Sequence, residues 1–400
     1  VSTTATVPPE SSKASMLYDP KVRGLVYQGA LVVGIGLLFY LATTNAIDNL
    51  RAARIASGFG FLSSTSGFDV NQTLVPYNAT STYGQAFLVG LLNTLLVAVI
   101  GCILATFLGF AMGIARLSSN WIVAKTAMVY VEVIRNLPLL LQLLFWYIAV
   151  LRPLPDARNS VSMGAGFFLN NRGLFVPRPL FAADAWLVWA ALAVGIVGSV
   201  AFAVFARRTQ EQTGKQYPVV LTSLALVLGL PLLVWLVLGL VTANPISFEM
   251  PEQQRFNLRG GLQVIPEFVA LTLGLVVYTS GFIAEVVRAG ILAVSKGQSE
   301  AAHALGLRSG PTLKLVVIPQ AMRVIIPPLT SQYLNLTKNS SLAVAIGYPD
   351  LVQVFMGTVL NQTGQAIECV AITMAVYLTI SLITSAGMNI YNSRKALVER

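Results

Sequence analysis

The chain has 400 residues, of which 55% are hydrophobic and only 10% charged. Soluble domains carry roughly 25% charged residues, so this composition excludes an ordinary soluble globular protein and points to an integral membrane protein. The net charge of +10 calls for no nucleic-acid partner, because basic residues of membrane proteins gather beside their spans on the cytoplasmic face.

Residues 1–20 are polar and rich in Ser, Thr and Pro, which predicts a disordered cytoplasmic tail rather than a signal peptide. Leu25–Thr44 is an uncharged apolar run; about twenty helical residues cross the roughly 30 Å hydrocarbon layer. Asn45–Gln85 is polar and reads as an exposed outer loop. Phe87–Ala115 is the second span, and its Gly109-Phe-Ala-Met-Gly113 is a small-xxx-small pattern that predicts close helix packing. After a polar turn at Ser118–Asn120, Trp121–Val150 reads as a third helical stretch. Leu151–Ala185 is a long loop. Trp186–Ala206 and Val219–Val241 are two further spans, Thr242–Ile265 is a polar loop, and Pro266–Ala293 is the next span. Gln320–Tyr348 is apolar but contains Pro327-Pro328, which predicts a kinked or two-part helix. Gln365–Tyr391 is the last span. The predicted class is therefore all-α integral membrane, with about eight transmembrane helices.

Outside the apolar core every lysine falls on one side of this layout: Lys13, Lys21, Lys125, Lys215, Lys296, Lys314 and Lys395. The positive-inside rule makes that side cytoplasmic, with both termini on it. The arginines of Leu151–Ala185 run against the trend.

Ser299–Pro319, between two late spans, falls on the same side. Ser299 is predicted to cap a short helix, with Glu300 in its first turn and Ala301, Ala302 and Ala304 propagating it. Gly306 supplies the left-handed stop and Pro311 opens the next helix. Such an element reads as a surface against which another protein docks.

Ionisable residues within spans are costly and mark a pair or a pathway. Glu132 and Arg135 are three apart and share a helix face; so do Glu285 and Arg288. Each pair either locks the inner helix ends together or belongs to a gate. Asn335 and Lys338 lie in a polar patch after the double proline, and Gln142 and Glu368 are isolated polar groups in apolar runs. A polar break is tolerated only inside protein or beside a water-filled cavity, so these four are candidates for a substrate pathway.

The string Glu300-Ala301-Ala302, with Gly306 and the later Ile318-Pro319, resembles the cytoplasmic EAA loop of ABC-transporter permeases. Glu132-Val-Ile-Arg135-Asn136-Leu-Pro138 with Gln142, Ala284-Glu285-Val-Val-Arg288-Ala-Gly290, and Lys338-Asn-Ser-Ser-Leu342 are similar to three further signatures of the branch that imports polar amino acids such as histidine, glutamine and glutamate. The chain's length and the insert position resemble the larger permease subunit of general L-amino-acid importers. The resemblance implies a five-helix type I importer core, divided here into 86–151 and 266–400. An extra N-terminal span with its periplasmic loop (21–85) and a two-span insert (152–265) lie outside that core. It implies a second permease subunit, two ATP-binding cassette ATPases, a periplasmic amino-acid-binding protein and an L-amino acid substrate, in the bacterial inner membrane. Within the EAA loop (295–319) it assigns ATPase coupling to Ser299, Glu300, Ala301, Ala302, His303, Gly306, Ile318 and Pro319.

The remaining chemistry agrees with energy drawn from a partner chain. Gly214-Lys215 is followed by Gln216, and Thr209 stands where a phosphate-binding loop needs its first glycine. His303 is the lone histidine, and Cys102 and Cys369 lie in apolar runs. No metal site, cofactor or catalytic constellation is expected. The rival reading, a secondary amino acid transporter driven by an ion gradient, needs matched broken helices in two halves; the double proline has no early counterpart.

Overall fold

The computed structural model describes residues 20–52, 58–242, 244–254 and 257–395. The tail expected over 1–20 lies outside them apart from Pro20, which opens the first helix. The helices are α1 (Pro20–Ala52), α2 (Tyr83–Ala115), α3 (Trp121–Asn136), α4 (Leu139–Leu151), α5 (Ala185–Thr213), α6 (Val219–Val241), α7 (Pro266–Leu292), α8 (Lys296–Ala304), α9 (Ser309–Ile346) and α10 (Ala366–Lys395). Among the described residues 7 helices are long and apolar enough to cross a membrane; α3 and α4, bent by 106°, form an eighth span if taken together. That bend, at Leu137-Pro138, divides the stretch that reads as one helix over Trp121–Val150.

The centre of the molecule is the packing of α2 on α7. A Cβ placed on Gly109 would lie 2.5 Å from Ile283 Cγ2, and one on Gly113 would lie 2.7 Å from the Ala284 carbonyl oxygen. The two glycines therefore bring the backbones together, as the small-xxx-small spacing predicts. Around this seam Val97, Leu143, Leu275, Ile283, Ile325 and Leu336 form one buried cluster drawn from α2, α4, α7 and α9. Cys369 is buried and Cys102 half-buried, both free, so they act as packing residues.

The double proline does not break α9. The segment Ile318–Asn339 is one α-helix with Pro327 and Pro328 inside it. Both prolines sit on the exposed side, whereas Ile325, Ile326 and Leu329 are buried. Tertiary packing of those neighbours holds the helical path that two missing N–H donors fail to support.

The long loops are also more ordered than their composition suggests. Leu151–Ala185 and Thr242–Ile265 are not irregular: strands β1 (Val161–Gly164), β2 (Phe167–Asn170), β3 (Gly173–Val176), β4 (Arg178–Phe181), β5 (Ile246–Glu249), β6 (Glu252–Gln253), β7 (Leu258–Arg259) and β8 (Leu262–Val264) lie there. They form a four-stranded antiparallel sheet, β1-β2-β3-β8, and the pairs β4-β5 and β6-β7. The two loops thus pair with each other across the insert, with Leu174 opposite Val264 and Leu180 opposite Ser247. The earlier loop folds back as well. Phe61 packs on Tyr83, Ser66 Oγ lies 2.9 Å from Tyr77 OH, and Asn93 of α2 donates to the Gln72 carbonyl.

Candidate functional site

The segment between α7 and α9 begins one turn earlier than its sequence suggests. Ser295, not Ser299, is the N-cap of α8, so Ser299 and Glu300 lie inside the helix rather than at its start. The backbone of Ser295 accepts from Gln298 N at 3.0 Å, and this first turn absorbs Lys296 and Gly297. The helix stop is as expected. Gly306 has φ +79°, Gly306 N donates to the His303 carbonyl at 2.9 Å and Leu307 N to the Ala302 carbonyl at 3.1 Å. These bonds are the two of the Schellman motif, which satisfies carbonyls a helix end otherwise leaves bare. Ala302 is buried and anchors α8, while Glu300, Ala301, His303 and Leu305 are exposed, Leu305 by 82%. His303 Nδ1 sits 2.6 Å from the Ser299 carbonyl oxygen. Pro311 falls in the first turn of α9; Ile318 and Pro319 lie further along it and are exposed.

Two turns before α8, α7 carries a cluster of charges. Glu285 accepts from Arg288 on its own helix, Nη2 to Oε1 at 2.6 Å, and is ion-paired with Arg116 at the C-cap of α2. Arg135 of α3 approaches the same carboxylate at 3.9 Å, and its guanidinium stacks on Phe282 at 5.3 Å. Glu132 pairs with Arg116 at 3.8 Å rather than with Arg135. The expected Glu285–Arg288 pair is therefore present, and the expected Glu132–Arg135 pair is replaced by contacts between helices. Spacing along one helix does not reveal Arg116. Its position just beyond an uncharged run, where a cation faces the negative end of the helix dipole, was the available signal.

The four candidate pathway residues do not meet. Gln142 is buried and its Nε2 donates to the carbonyls of Ile134 and Leu137, at 3.0 and 3.1 Å. It bridges the break at Pro138 and satisfies carbonyls that the bend frees. Glu368, buried at the start of α10, accepts from Gly58 N at 2.5 Å. Asn335 and Lys338 stand exposed on α9, three residues apart. No hydrogen bond or ion pair among the described residues joins any two of these four. No cluster of His, Cys, Asp or Glu able to hold a metal occurs among the described residues.

Residues 212–396 match the family model described as a binding-protein-dependent transport system inner membrane component. Over most of its length the chain is similar to the general L-amino acid transport system permease protein AapQ of Rhizobium johnstonii, with 52% identity over 387 residues, 96% of this chain and 95% of that one. The chain belongs to the amino-acid ABC transporter permeases. The permease is also 50% identical to the putative amino-acid ABC transporter permease YhdX of Escherichia coli, over 96% of both chains. It is 43% identical, over 99% of both, to BztB of Rhodobacter capsulatus, a glutamate/glutamine/aspartate/asparagine transport system permease. Among solved structures, an amino acid ABC transporter with histidines aligns with a TM-score of 0.46 and 21% identity, over 78% of this chain and 95% of that one. Membership makes the permease a multi-span inner-membrane subunit of an ATP-driven importer. Its ATPase is a separate chain and a substrate-binding protein serves it, which sets aside the ion-gradient alternative.

Proposed function

We propose that the permease carries L-amino acids of broad side-chain type from periplasm to cytoplasm. In this reading it pairs with a second permease subunit over two ATPase subunits, has both termini in the cytoplasm, and couples to the ATPase through Ser295–Pro319. The residues that touch the ATPase are those that α8 exposes, Glu300, Ala301 and His303, in the conformation that Gly306 fixes. The names borne by AapQ and BztB support the substrate class.

The observation that carries the reading is α9. It is one uninterrupted helix from Ser309, beside α8, to Ile346. Its inner face is buried by Ala321, Ile325, Leu329 and Leu336, while Arg323, Ser331, Asn335 and Lys338 follow one another along its exposed face. A polar face at membrane depth must meet protein or water, and a path formed with a second permease supplies both. A rod that starts at the docking segment and carries the polar face converts a push at α8 into movement of the path. In this account the Glu285 cluster locks α2, α3 and α7 at their inner ends, a gate-like fastening beside the rod.

The test uses the assembled transporter in proteoliposomes. Glu300→Lys and Gly306→Asp are expected to insert and assemble normally but to lose ATP-dependent amino acid uptake. Wild-type uptake in both overturns the coupling assignment.

A further inference from the structure

The strand pair β4–β5 has two unlike faces. Arg178 stands opposite Glu249, Pro179 opposite Phe248, Leu180 opposite Ser247 and Phe181 opposite Ile246. Residues directly opposite share a face, and successive residues alternate between faces. One face therefore carries Arg178, Leu180, Ser247 and Glu249. The other carries Pro179, Phe181, Ile246 and Phe248, with no polar side chain. That apolar face is bare: Phe181 is 56% exposed and Phe248 54%. A two-stranded pair is marginal in water unless its apolar face is packed, so this face calls for an apolar cover.

Its level in the molecule identifies the cover. β4 ends at Phe181, just before α5 begins at Ala185, and β5 starts at Ile246, just after α6 ends at Val241. Both helices are long and apolar enough to cross a membrane, so the chain holds the pair at their ends. These are the ends away from α8, because β3 of the same loop pairs with β8, which leads into the start of α7. Two contacts fix the depth. The Phe181 ring lies 5.9 Å from that of Trp189 on α5, and Trp235 Nε1 of α6 donates to the Ile246 carbonyl at 3.4 Å. At about 1.5 Å per residue these tryptophans sit roughly 6 and 9 Å inside their helix ends. Ala185–Ala206 is uncharged, so the membrane-embedded part of α5 starts where the helix starts. The strand pair is thus level with the outermost turns of two spans, at the boundary of headgroups and acyl chains where tryptophans gather. The most apolar stretch of α6 has no buried residue and that of α5 is 17% buried. These helices meet lipid over most of their surface, and through Trp189 the apolar face of the strand pair continues that contact. A soluble protein docks above this layer.

We infer that β4–β5 is an interfacial anchor: Pro179, Phe181 and Phe248 rest on the acyl chains at the membrane boundary, while Arg178, Ser247 and Glu249 face headgroups and water. Naming that leaflet the periplasmic one rests on the proposed cytoplasmic placement of the termini; the lipid contact does not. The anchor fastens the long loops to the bilayer beside α5 and α6, so the sheet β1-β2-β3-β8 is held against the membrane surface rather than free above it.

The experiment is spin-label collision in the assembled transporter, reconstituted in phospholipid vesicles without ATP or substrate. Phe248→Cys and Ser247→Cys are each labelled in a Cys102→Ala, Cys369→Ala background. Molecular oxygen concentrates in the bilayer and a charged nickel chelate stays in water. The label at Phe248→Cys is expected to collide more often with oxygen than with the chelate, and the label at its neighbour Ser247→Cys is expected to show the reverse. Pro179→Cys, directly opposite Phe248, is expected to match Phe248→Cys and decides the matter should that variant fail to assemble. Chelate-dominated collision on the apolar face overturns the anchor, because that face then lies in water. A label there that neither reagent reaches overturns it too, because a protein then covers the face. Oxygen-dominated collision at both Ser247→Cys and Phe248→Cys overturns the two-faced seating. Collision is read without turnover, so its outcome is separate from that of the uptake test on Glu300 and Gly306.

Discussion

Arg116 and Glu285 are 169 residues apart in sequence and form an ion pair between the C-terminus of α2 and the C-terminal half of α7. Arg116 is nearly buried, its side chain 10% exposed, and Glu285 is 26% exposed. Glu285 also faces Arg135 and Arg288, so one carboxylate stands among three guanidinium groups. Replacing it leaves those cations facing one another. Glu285→Gln is expected to destabilise the permease by about 2 kcal/mol, below the 3–5 kcal/mol of a fully buried pair because water screens this one in part. Arg288→Gln is expected to cost less, since Arg116 and Arg135 remain. The double variant is expected to recover part of the Glu285→Gln loss, as thermal unfolding of the purified complex will show.

The glycines of the α2–α7 seam make different demands. The main obstacle to a side chain at Gly109 is the Ile283 side chain; at Gly113 it is the Ala284 backbone carbonyl together with the Val287 side chain. Gly109→Ala and Gly113→Ala are each expected to cost about 1–3 kcal/mol by overpacking. Ile283→Ala is expected to offset the first and not the second. A double-mutant cycle on thermal stability checks this; equal coupling to both sites would contradict the geometry.

Gln142 closes the α3–α4 bend with both hydrogens of its amide. Gln142→Leu removes the donors but keeps the bulk, and is expected to cost about 1–2 kcal/mol. Gln142→Glu is expected to cost more, because a carboxylate then faces the Ile134 and Leu137 carbonyls. Loss of stability in both, in that order, separates the clamp from a substrate contact, which would change uptake selectivity without changing the unfolding midpoint.

Asp350 lies between the last two spans, with no exposed surface. Gln353 N donates to its Oδ1 at 2.8 Å and Tyr377 OH to its Oδ2 at 3.3 Å. Burial pushes its carboxyl up to about 7, against about 3.9 in an unfolded chain. Between those values the native state keeps a proton that the unfolded state releases. Stability from this group is therefore greatest at low pH, falls as pH rises through the window, and levels off above about pH 7. Asp350→Asn keeps an acceptor for Gln353 N and removes the titration. It is expected to flatten the dependence of the unfolding midpoint between about pH 4 and about pH 7. An unchanged slope would place the titration elsewhere.

The spans were legible because each is a long run whose apolar length matches a bilayer, and the Gly109–Gly113 seam because small residues at one-turn spacing have few other uses in a membrane helix. The helix stop at Gly306 was legible for the same local reason. What escaped is non-local. Strands of two to four residues, such as Leu258–Arg259 and Gly173–Val176, carry too short a pattern to read, and the β8 partner of Gly173–Val176 lies beyond two spans. Spacing along one helix suggested that Glu132 meets Arg135; the contact that forms instead comes from Arg116 on a different helix. The double proline misled because a single sequence shows the missing donors but not the buried flank that holds α9 together. At α8 the cap expected at Ser299 is supplied one turn earlier, by Ser295.

The antiparallel pairing of β3 with β8 sets Val176 opposite Leu262 and Leu174 opposite Val264. The chain thus leaves the core region and returns to it at neighbouring points, with α5, α6 and the lesser strand pairs strung between. A segment whose two ends are already side by side is a cassette: it can be gained, shortened or excised by a tight turn without re-routing a core helix. A tight turn joining Val176 to Leu262 would leave the α2–α7 seam untouched.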